Sequence, residues 1–195
     1  MSKYLDKQIR WFEEIQEQMD ACSSPKHKKI LRNYMSHAAY ELVGETEKLF
    51  GPELMVDEPL YVISGLGETG LREFRGRDKV KARFYDNLNE GVVLVYDESR
   101  AVADWGLAMF ATVSQIMSGN QLAVMGVTID DPAARYIVEH KCAERWPFDE
   151  KGRVEGEEVH QIGETKVTKL APEENVTIEE RNAAIRRFLP DAARE

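Results

Sequence analysis

The chain has 195 residues, and a hydrophobic content of 43% is enough for one domain with a substantial core. A net charge of -9 and an isoelectric point near 5.1 argue against nucleic acid or an anionic membrane as a partner. Cys22 and Cys142 lie far apart, with no apolar leader and no run long enough to span a membrane, so we expect a cytoplasmic protein with free thiols.

Helices are predicted first along the chain. Apolar residues recur at helical spacing between residues 3 and 20, which indicates an amphipathic helix. Ser24 and Pro25 form an N-cap and first-turn pair for a longer helix, which Gly51-Pro52 ends. A third helix, closing at Asn89-Glu90-Gly91, is marked by three apolar residues at helical spacing: Val80, Phe84 and Leu88.

Strands dominate the rest of the chain. One is predicted at Met55 to Ile63, and a loop rich in glycine and charge follows from Ser64 to Gly76. Besides a hairpin, the later β-rich segments are Val92 to Tyr96, Ala101 to Met117, Leu122 to Thr128 and Lys166 to Leu170. Thr177 and Glu180 form a capping box for a last helix that ends near Leu189-Pro190. This order predicts an α+β fold in which helices cover one face of a curved sheet.

The hairpin from Tyr136 to Gln161 is predicted to aim charged side chains into an apolar face. Its inner residues alternate along the first strand: Tyr136, Val138, His140, Cys142, Glu144 and Trp146. With Gly152 as a bulge in the turn, Phe148 faces Val154, and four ionisable groups share the inner face: His140, Glu144, Glu158 and His160. A plain loop would pair Phe148 with Arg153 and bring in Glu157, Val159 and Gln161 instead. Because buried charge is costly unless it is paired or used, a functional site is expected here.

Three short motifs, in this order and spacing, resemble the nuclear transport factor 2-like superfamily, which includes ketosteroid isomerase and the SnoaL-like polyketide cyclases. They are Val56-Asp57-Glu58-Pro59, Arg75-Gly76-Arg77-Asp78 and Phe148-Asp149-Glu150-Lys151-Gly152-Arg153-Val154. The resemblance covers roughly residues 27–170 and implies a cone-shaped, curved antiparallel sheet with helices on its concave face. Residues 1–26 would then be an N-terminal helical extension, and residues 171–195 a C-terminal helical tail.

The resemblance to ketosteroid isomerase also implies catalytic roles. It places the general base at Glu58, the oxyanion-stabilising acid at Glu144 and the oxyanion tyrosine at Tyr34. Asp57 is an equally acidic neighbour of Glu58 on the opposite strand face, so the register of this strand decides between them. His140, on the buried face of the hairpin, is a further catalytic candidate.

Further residues are expected to contact the substrate, and apolar neighbours such as Trp146 should raise the pKa of Glu144. The predicted contacts are His37, Tyr61, Trp105, Trp146, Glu158 and His160. Two His and two Glu of the hairpin could converge on a metal at His140 and His160, but their spacing matches no compact zinc motif, so no cofactor is predicted. The segment Gly65 to Gly70 lacks the Lys of a phosphate-binding loop and is interpreted as a mobile loop at the mouth of the cone.

Two classes of function fit these features. The first is a cofactor-independent acid-base enzyme, of the lyase, dehydratase, isomerase or cyclase type, acting on a small hydrophobic molecule that is aromatic or cyclic. The alternatives are a non-catalytic ligand-binding or assembly module, and an epoxide hydrolase-type enzyme. The segment Ala103 to Val113 is apolar on both faces, which predicts a homo-oligomer, most simply a dimer through the sheet.

Overall fold

Helices and strands follow the predicted α+β order in the computed structural model, which describes residues 2–66, 70–83, 85 and 91–190. The α-helices are α1 (Lys3–Ala21), α2 (Pro25–Val43), α3 (Arg77–Arg83), α4 (Gly119–Val124) and α5 (Ile178–Ile185). The strands are β1 (Met55–Ser64), β2 (Leu71–Arg75), β3 (Val92–Ala103), β4 (Gly106–Ser118), β5 (Arg135–Pro147) and β6 (Val154–Lys169).

The strands form one curved, unclosed sheet in the order β2-β1-β6-β5-β4-β3. This arrangement, with helices over the concave face, confirms the predicted cone-shaped α+β fold. The sheet is mixed, however, and not purely antiparallel, because β1 pairs with β6 in parallel while the other neighbouring strands are antiparallel. The parallel pair places the β1–β2 hairpin next to the last strand, β6. Side chains from early and late parts of the chain therefore lie side by side on the same face of the sheet.

Helices α1 and α2 cover the concave face and close one edge of the sheet. On α2, Tyr34 and its buried neighbours pack against Met109 of β4 and Trp146 of β5. Helix α1 lies against the edge strand β3, where the Gln8 Oε1 accepts a hydrogen bond from the Val95 N–H at 2.6 Å. This bond satisfies a backbone donor that an edge strand would otherwise expose. None of the helices within the described ranges is long and apolar enough to cross a membrane.

One predicted helix boundary and one predicted strand differ from the structure. Helix α2 ends at Gly44, not at Gly51-Pro52, because Gly44 adopts a left-handed φ of 81° and caps the helix through its N–H. The segment predicted as a strand from Leu122 to Thr128 begins as helix α4, since Ser118 and Gln121 form a capping box. The part of the third helix marked by Phe84, Leu88 and Asn89-Glu90 lies outside the described residues.

Two connections in the sheet also differ from the prediction. The expected loop from Ser64 to Gly76 contains β2, which pairs with β1 from Ser64 opposite Leu71. The expected strand from Ala101 to Met117 is two strands, joined by a two-residue turn at Asp104 and Trp105. A short turn lets β3 fold directly back onto β4. The Trp105 side chain is consequently 43% exposed on that turn.

The register of the β5–β6 hairpin combines both alternatives left open by the sequence. Phe148 pairs with Val154 around Gly152, whose φ is 71°, as the bulged turn predicts. Further along, the pairing has moved by one residue, so that Glu144 faces Val159 and Arg145 faces Glu158. As a result Glu157 enters the concave side, whereas Glu158 and His160 lie on the opposite face.

A second irregularity, in β3, turns an ion pair into the interior. Tyr96 pairs with Thr112 but Ser99 pairs with Phe110, so β3 has one residue more than β4 in between. Asp97 takes a positive φ of 51° at this bulge. Beyond the bulge, each side chain of β3 points to the face opposite to the one that the earlier alternation predicts. The Glu98 side chain therefore points into the interior and is 0% exposed.

Candidate active site in the concave face

A small cavity of about 110 Å³ lies between the helices and the concave face of the sheet. Three of the residues that line it carry carboxyl groups, namely Glu41, Glu144 and Glu157. The rest of the lining is mainly aromatic and aliphatic: Trp11, Tyr34, Ala38, Leu42, Leu66, Val93, Val95, Val113, Trp146 and Val159. A wider depression of about 580 Å³ on the other side of α2 has only solvent-exposed charges, on Lys29, Arg32 and Glu53. The enclosed cavity is therefore the better candidate for chemistry.

His37, Glu41 and Glu157 form the centre of the site. His37 and Glu41 are four residues apart on α2 and so share one face of the helix. The His37 Nε2 lies 3.2 Å from the Glu157 Oε1 and 3.8 Å from the Glu41 Oε2. The three side chains offer ligand atoms that all lie within 4.8 Å of one another, so they are the residues that could hold a metal ion.

Two tyrosines support this centre from behind. The Tyr85 hydroxyl lies 2.7 Å from the His37 Nε2 and donates to the Glu157 Oε1 at 3.2 Å. The Tyr61 hydroxyl lies 2.8 Å from that of Tyr85. Both rings are fully buried, so the network fixes His37 and Glu157 against the wall of the cavity.

Burial shifts the proton affinities of the whole cluster. Burial raises the pKa of Glu144 to about 8, and the charge of Glu157 raises it further. The Trp146 Nε1 donates a hydrogen bond to Glu144 at 3.1 Å, which lowers this pKa in part. Burial also raises the pKa of Glu41 and of Glu157, and it lowers the pKa of His37 to about 4. At neutral pH the imidazole is therefore neutral, and the cluster of carboxyl groups holds more protons than free carboxyl groups would.

A separate buried carboxylate holds the aromatic wall in place. Glu98 pairs with Arg100, and its Oε2 accepts from the Trp11 Nε1 at 2.5 Å and from the Tyr34 hydroxyl at 2.7 Å. The Tyr34 hydroxyl proton is thus engaged by Glu98 in this structure. Tyr34 lines the cavity, and its role in stabilising an oxyanion stays a prediction.

Glu58 does not lie in the site, so its prediction as the general base is wrong. The register of β1 against β6 shifts between Met55 and Leu60, the part of the strand that contains Glu58. Glu58 is exposed, with its carboxylate beside Gly76. Asp57 is not a replacement, because it is 87% exposed and pairs with Arg77 at 3.1 Å.

The predicted histidine pair is separated by the sheet. His140 is on the inner face but lies away from the carboxyl groups, with its Nδ1 3.1 Å from both the Gln161 Oε1 and the Thr165 Oγ1. His160 is on the outer face, where its Nδ1 lies 2.8 Å from the Ser64 Oγ. A shared metal at His140 and His160 is therefore contradicted, since opposite faces cannot supply one ion.

Two predicted substrate contacts point outward as well. Glu158 pairs with Arg145 at 2.5 Å on the outer face, because the register shifts after the turn. Trp105 lies on the β3–β4 turn, with the Arg145 guanidinium 5.2 Å from its ring centroid. Neither lines the cavity, so both assignments as substrate contacts are wrong.

The remaining predicted residues do gather at the site. Glu144 and Trp146 line the cavity, and His37 and Tyr61 lie directly behind it. Their catalytic or binding roles stay predictions. The sequence analysis missed Glu41 and Glu98, although Glu41 could have been found from its spacing of four residues after His37.

Comparison with known proteins gives a distant structural match. The sequence matches no protein-family model and no curated protein. A solved structure of SalBIII, described as an epoxide hydrolase/cyclase-like enzyme with a role in pyran ring formation in the polyether salinomycin, matches with 14% sequence identity and a TM-score of 0.43. The match covers 70% of this chain and 90% of that one.

Proposed function

We propose that this protein is a cofactor-independent enzyme that moves protons on a small molecule bound in the concave cavity. The observation that carries the proposal is the convergence of Glu41, Glu144 and Glu157, all with a raised pKa, on one mainly apolar cavity. Carboxyl groups tuned in this way are typical of acid-base catalysis at neutral pH.

The three carboxyl groups divide into an acid and a proton-sharing pair. Glu144, protonated at neutral pH, is positioned to donate a hydrogen bond or a proton to a substrate oxygen. Glu41 and Glu157 interact strongly enough that their protons leave in two linked steps, and the singly ionised pair can accept a proton from substrate carbon. His37 and Tyr85 position Glu157 for this transfer.

An acid and a base on one enclosed cavity support isomerisation, elimination of water or another small group, or cyclisation. The size of the cavity restricts the substrate. An apolar cavity of about 150 Å³ holds benzene, so a cavity of about 110 Å³ takes a molecule of at most about that size, or part of a larger one. This favours a compact substrate without a large ring system.

The proposal is tested by hydrogen-deuterium exchange into small ketones in D₂O, followed by NMR. We expect the wild-type protein to accelerate exchange at the carbon next to the carbonyl. Positioned acid-base groups contribute about 10²- to 10⁴-fold, so Glu144→Gln and Glu157→Gln should each lose most of the acceleration.

Glu158→Gln is the matched control, because Glu158 is the neighbour of Glu157 in sequence but lies on the outer face. It should retain wild-type exchange. Background exchange with every ketone tested, or undiminished exchange in Glu144→Gln, would contradict the proposed function.

A further inference from the structure

We propose that the ligand of the concave cavity is a small organic cation, an ammonium group bearing short alkyl substituents. The inference deepens the proposed function, on which it rests in taking this ligand to be the substrate. It is argued from the charges on the cavity wall, from its aromatic residues and from its size.

The wall has acidic groups without a basic counterpart. Glu41, Glu144 and Glu157 border the cavity, and none of the described residues that line it is Lys, Arg or His. The nearby Arg100 guanidinium, 5.7 Å from the Tyr34 ring centroid, is already paired with Glu98. A bound cation would supply the positive charge that the cavity wall lacks and would allow the carboxyl groups to ionise. A bound anion would be repelled by the ionised carboxylates.

Three aromatic residues form the other part of the wall. The rings of Tyr34 and Trp146 are 5.1 Å apart and nearly perpendicular at 86°, and those of Trp11 and Tyr34 are 6.0 Å apart at 87°. The faces of aromatic rings attract alkylammonium groups through cation–π interactions, and such rings form the binding sites of quaternary ammonium ligands. A volume of about 110 Å³ suits such a group better than a larger aromatic ligand.

The structure favours an organic cation over a metal ion. The His37 Nε2 and the Glu157 Oε1 are both in contact with the Tyr85 hydroxyl, at 2.7 Å and 3.2 Å. A metal bound through these two atoms would compete with that hydroxyl. The Glu144 carboxylate, with Trp146 donating to one oxygen, borders the cavity outside the three residues that could hold a metal ion.

Titratable groups from several elements surround the carboxyl groups and enter the pH dependence of binding. They are Tyr34, His37 and Glu41 on α2, Tyr61 on β1, Tyr85 after α3, Glu98 and Arg100 on β3, Cys142 and Glu144 on β5, and Glu157 on β6. The tyrosine and thiol pKa values are raised, and that of His37 is lowered, so between pH 6 and 8 the groups that change charge are Glu41, Glu144 and Glu157.

The test is isothermal titration calorimetry of the full chain with tert-butylammonium and with tert-butanol, which has the same shape and no charge. We expect the cation to bind more tightly than the alcohol. Its affinity should rise with pH between 6 and 8, by up to about tenfold per pH unit for each proton released, while that of the alcohol should stay constant.

Variants locate the binding site. Glu144→Gln and Glu41→Gln should each weaken binding of the cation and reduce its pH dependence, and Glu158→Gln should not. Circular dichroism confirms that each variant is folded, and Trp146→Leu provides a third variant that removes an aromatic wall and leaves the carboxyl groups. Binding that is unaffected in all three site variants would overturn the inference.

Other outcomes would overturn it too. Equal affinity for the alcohol and the cation would show that the cavity recognises shape alone, and binding of Mn²⁺ without tert-butylammonium would identify a metal site. Exchange into ketones without cation binding would contradict this inference and leave the proposed function standing. Cation binding without exchange would contradict only the proposed function.

Discussion

Glu144 shows how a single residue acquires its chemistry from burial. Its carboxyl group borders an apolar cavity beside Glu157, and the one hydrogen bond described for it, from the Trp146 Nε1, only partly offsets the loss of water. Because the native state retains a proton that the unfolded chain loses, the stability of the protein should depend on pH.

We predict that the free energy of unfolding falls as pH rises from about 6.5 to 8. The pKa of Glu144 is raised from 4.5 to about 8, so in this window the native state binds more protons than the unfolded state. Each such carboxyl contributes a slope of up to about 1.4 kcal/mol per pH unit. His37, with a pKa lowered to about 4, acts in the opposite direction, but only below its unfolded value of 6.5.

Urea unfolding at several pH values measures this slope. Glu144→Gln should make it smaller by up to about 1.4 kcal/mol per pH unit, because an amide does not titrate. Glu158→Gln should leave it unchanged. Stability that does not fall with pH over this window would show that the carboxyl groups are already ionised in the native state.

A second residue-scale prediction concerns the Glu98–Arg100 pair. Both side chains are at least 96% buried, so removing one partner leaves a charge without compensation. Glu98→Gln should lower the free energy of unfolding by about 3–5 kcal/mol, and adding Arg100→Met should recover much of that loss. Chemical denaturation of the single and double variants tests this, and a double variant no more stable than the single would contradict it.

Irregularities in the strands decide which side chains reach the cavity. The bulge at Asp97 turns Glu98 inward, and the shift between β5 and β6 turns Glu157 inward in place of Glu158. Each irregularity shifts the alternation of a strand by one residue. A shift of one residue moves the side chains beyond it from one face of the sheet to the other.

Gly156 allows the close approach of β1 and β6 near the register shift between β5 and β6. A Cβ at this position would lie 1.9 Å from the Leu60 carbonyl oxygen, which neither strand can avoid without moving. Gly156→Ala should therefore destabilise the protein by about 3 kcal/mol or more and disturb the position of Glu157. The measurement is the unfolding free energy together with the affinity for tert-butylammonium.

Gly126→Ala is the matched control for this prediction. Gly126 also has a positive φ, of 82°, but no atom lies within 4 Å of its added Cβ. The loss of unfolding free energy in Gly126→Ala should be limited to the backbone strain, about 1–2 kcal/mol. Equal costs at the two positions would contradict the importance of the contact between β1 and β6.

On the scale of the whole molecule, the outer face of the sheet remains partly apolar. Phe110 on β4 is 59% exposed and pairs with Ala143 of β5 in the middle of that face. We predict a dimer that covers this surface, because an exposed aromatic side chain among small residues is costly in water. Phe110→Glu should give monomers in light scattering at micromolar concentration.

Leu71→Glu is the control, since Leu71 is similarly exposed, at 58%, but lies on the edge strand β2. It should leave the assembly unchanged. A wild-type protein that is monomeric at this concentration would contradict the predicted dimer.

The sequence by itself determined the elements whose signals are local. The helix over residues 3–20, the Ser24-Pro25 start of α2, the Thr177 capping box and the bulged turn at Gly152 all depend on contacts within a few residues. The alternation along β5 likewise placed Glu144 and Trp146 on the inner face.

Only the tertiary structure decided which groups meet at the site. Glu41 and Glu157 come together across α2 and β6, and Glu98 turns inward at a bulge set by the pairing of β3 with β4. Glu58 is displaced because β1 pairs irregularly with β6, a strand far along the chain. Register between distant strands depends on the packing of both faces at once, so one residue of shift changed the site while the local pattern stayed the same.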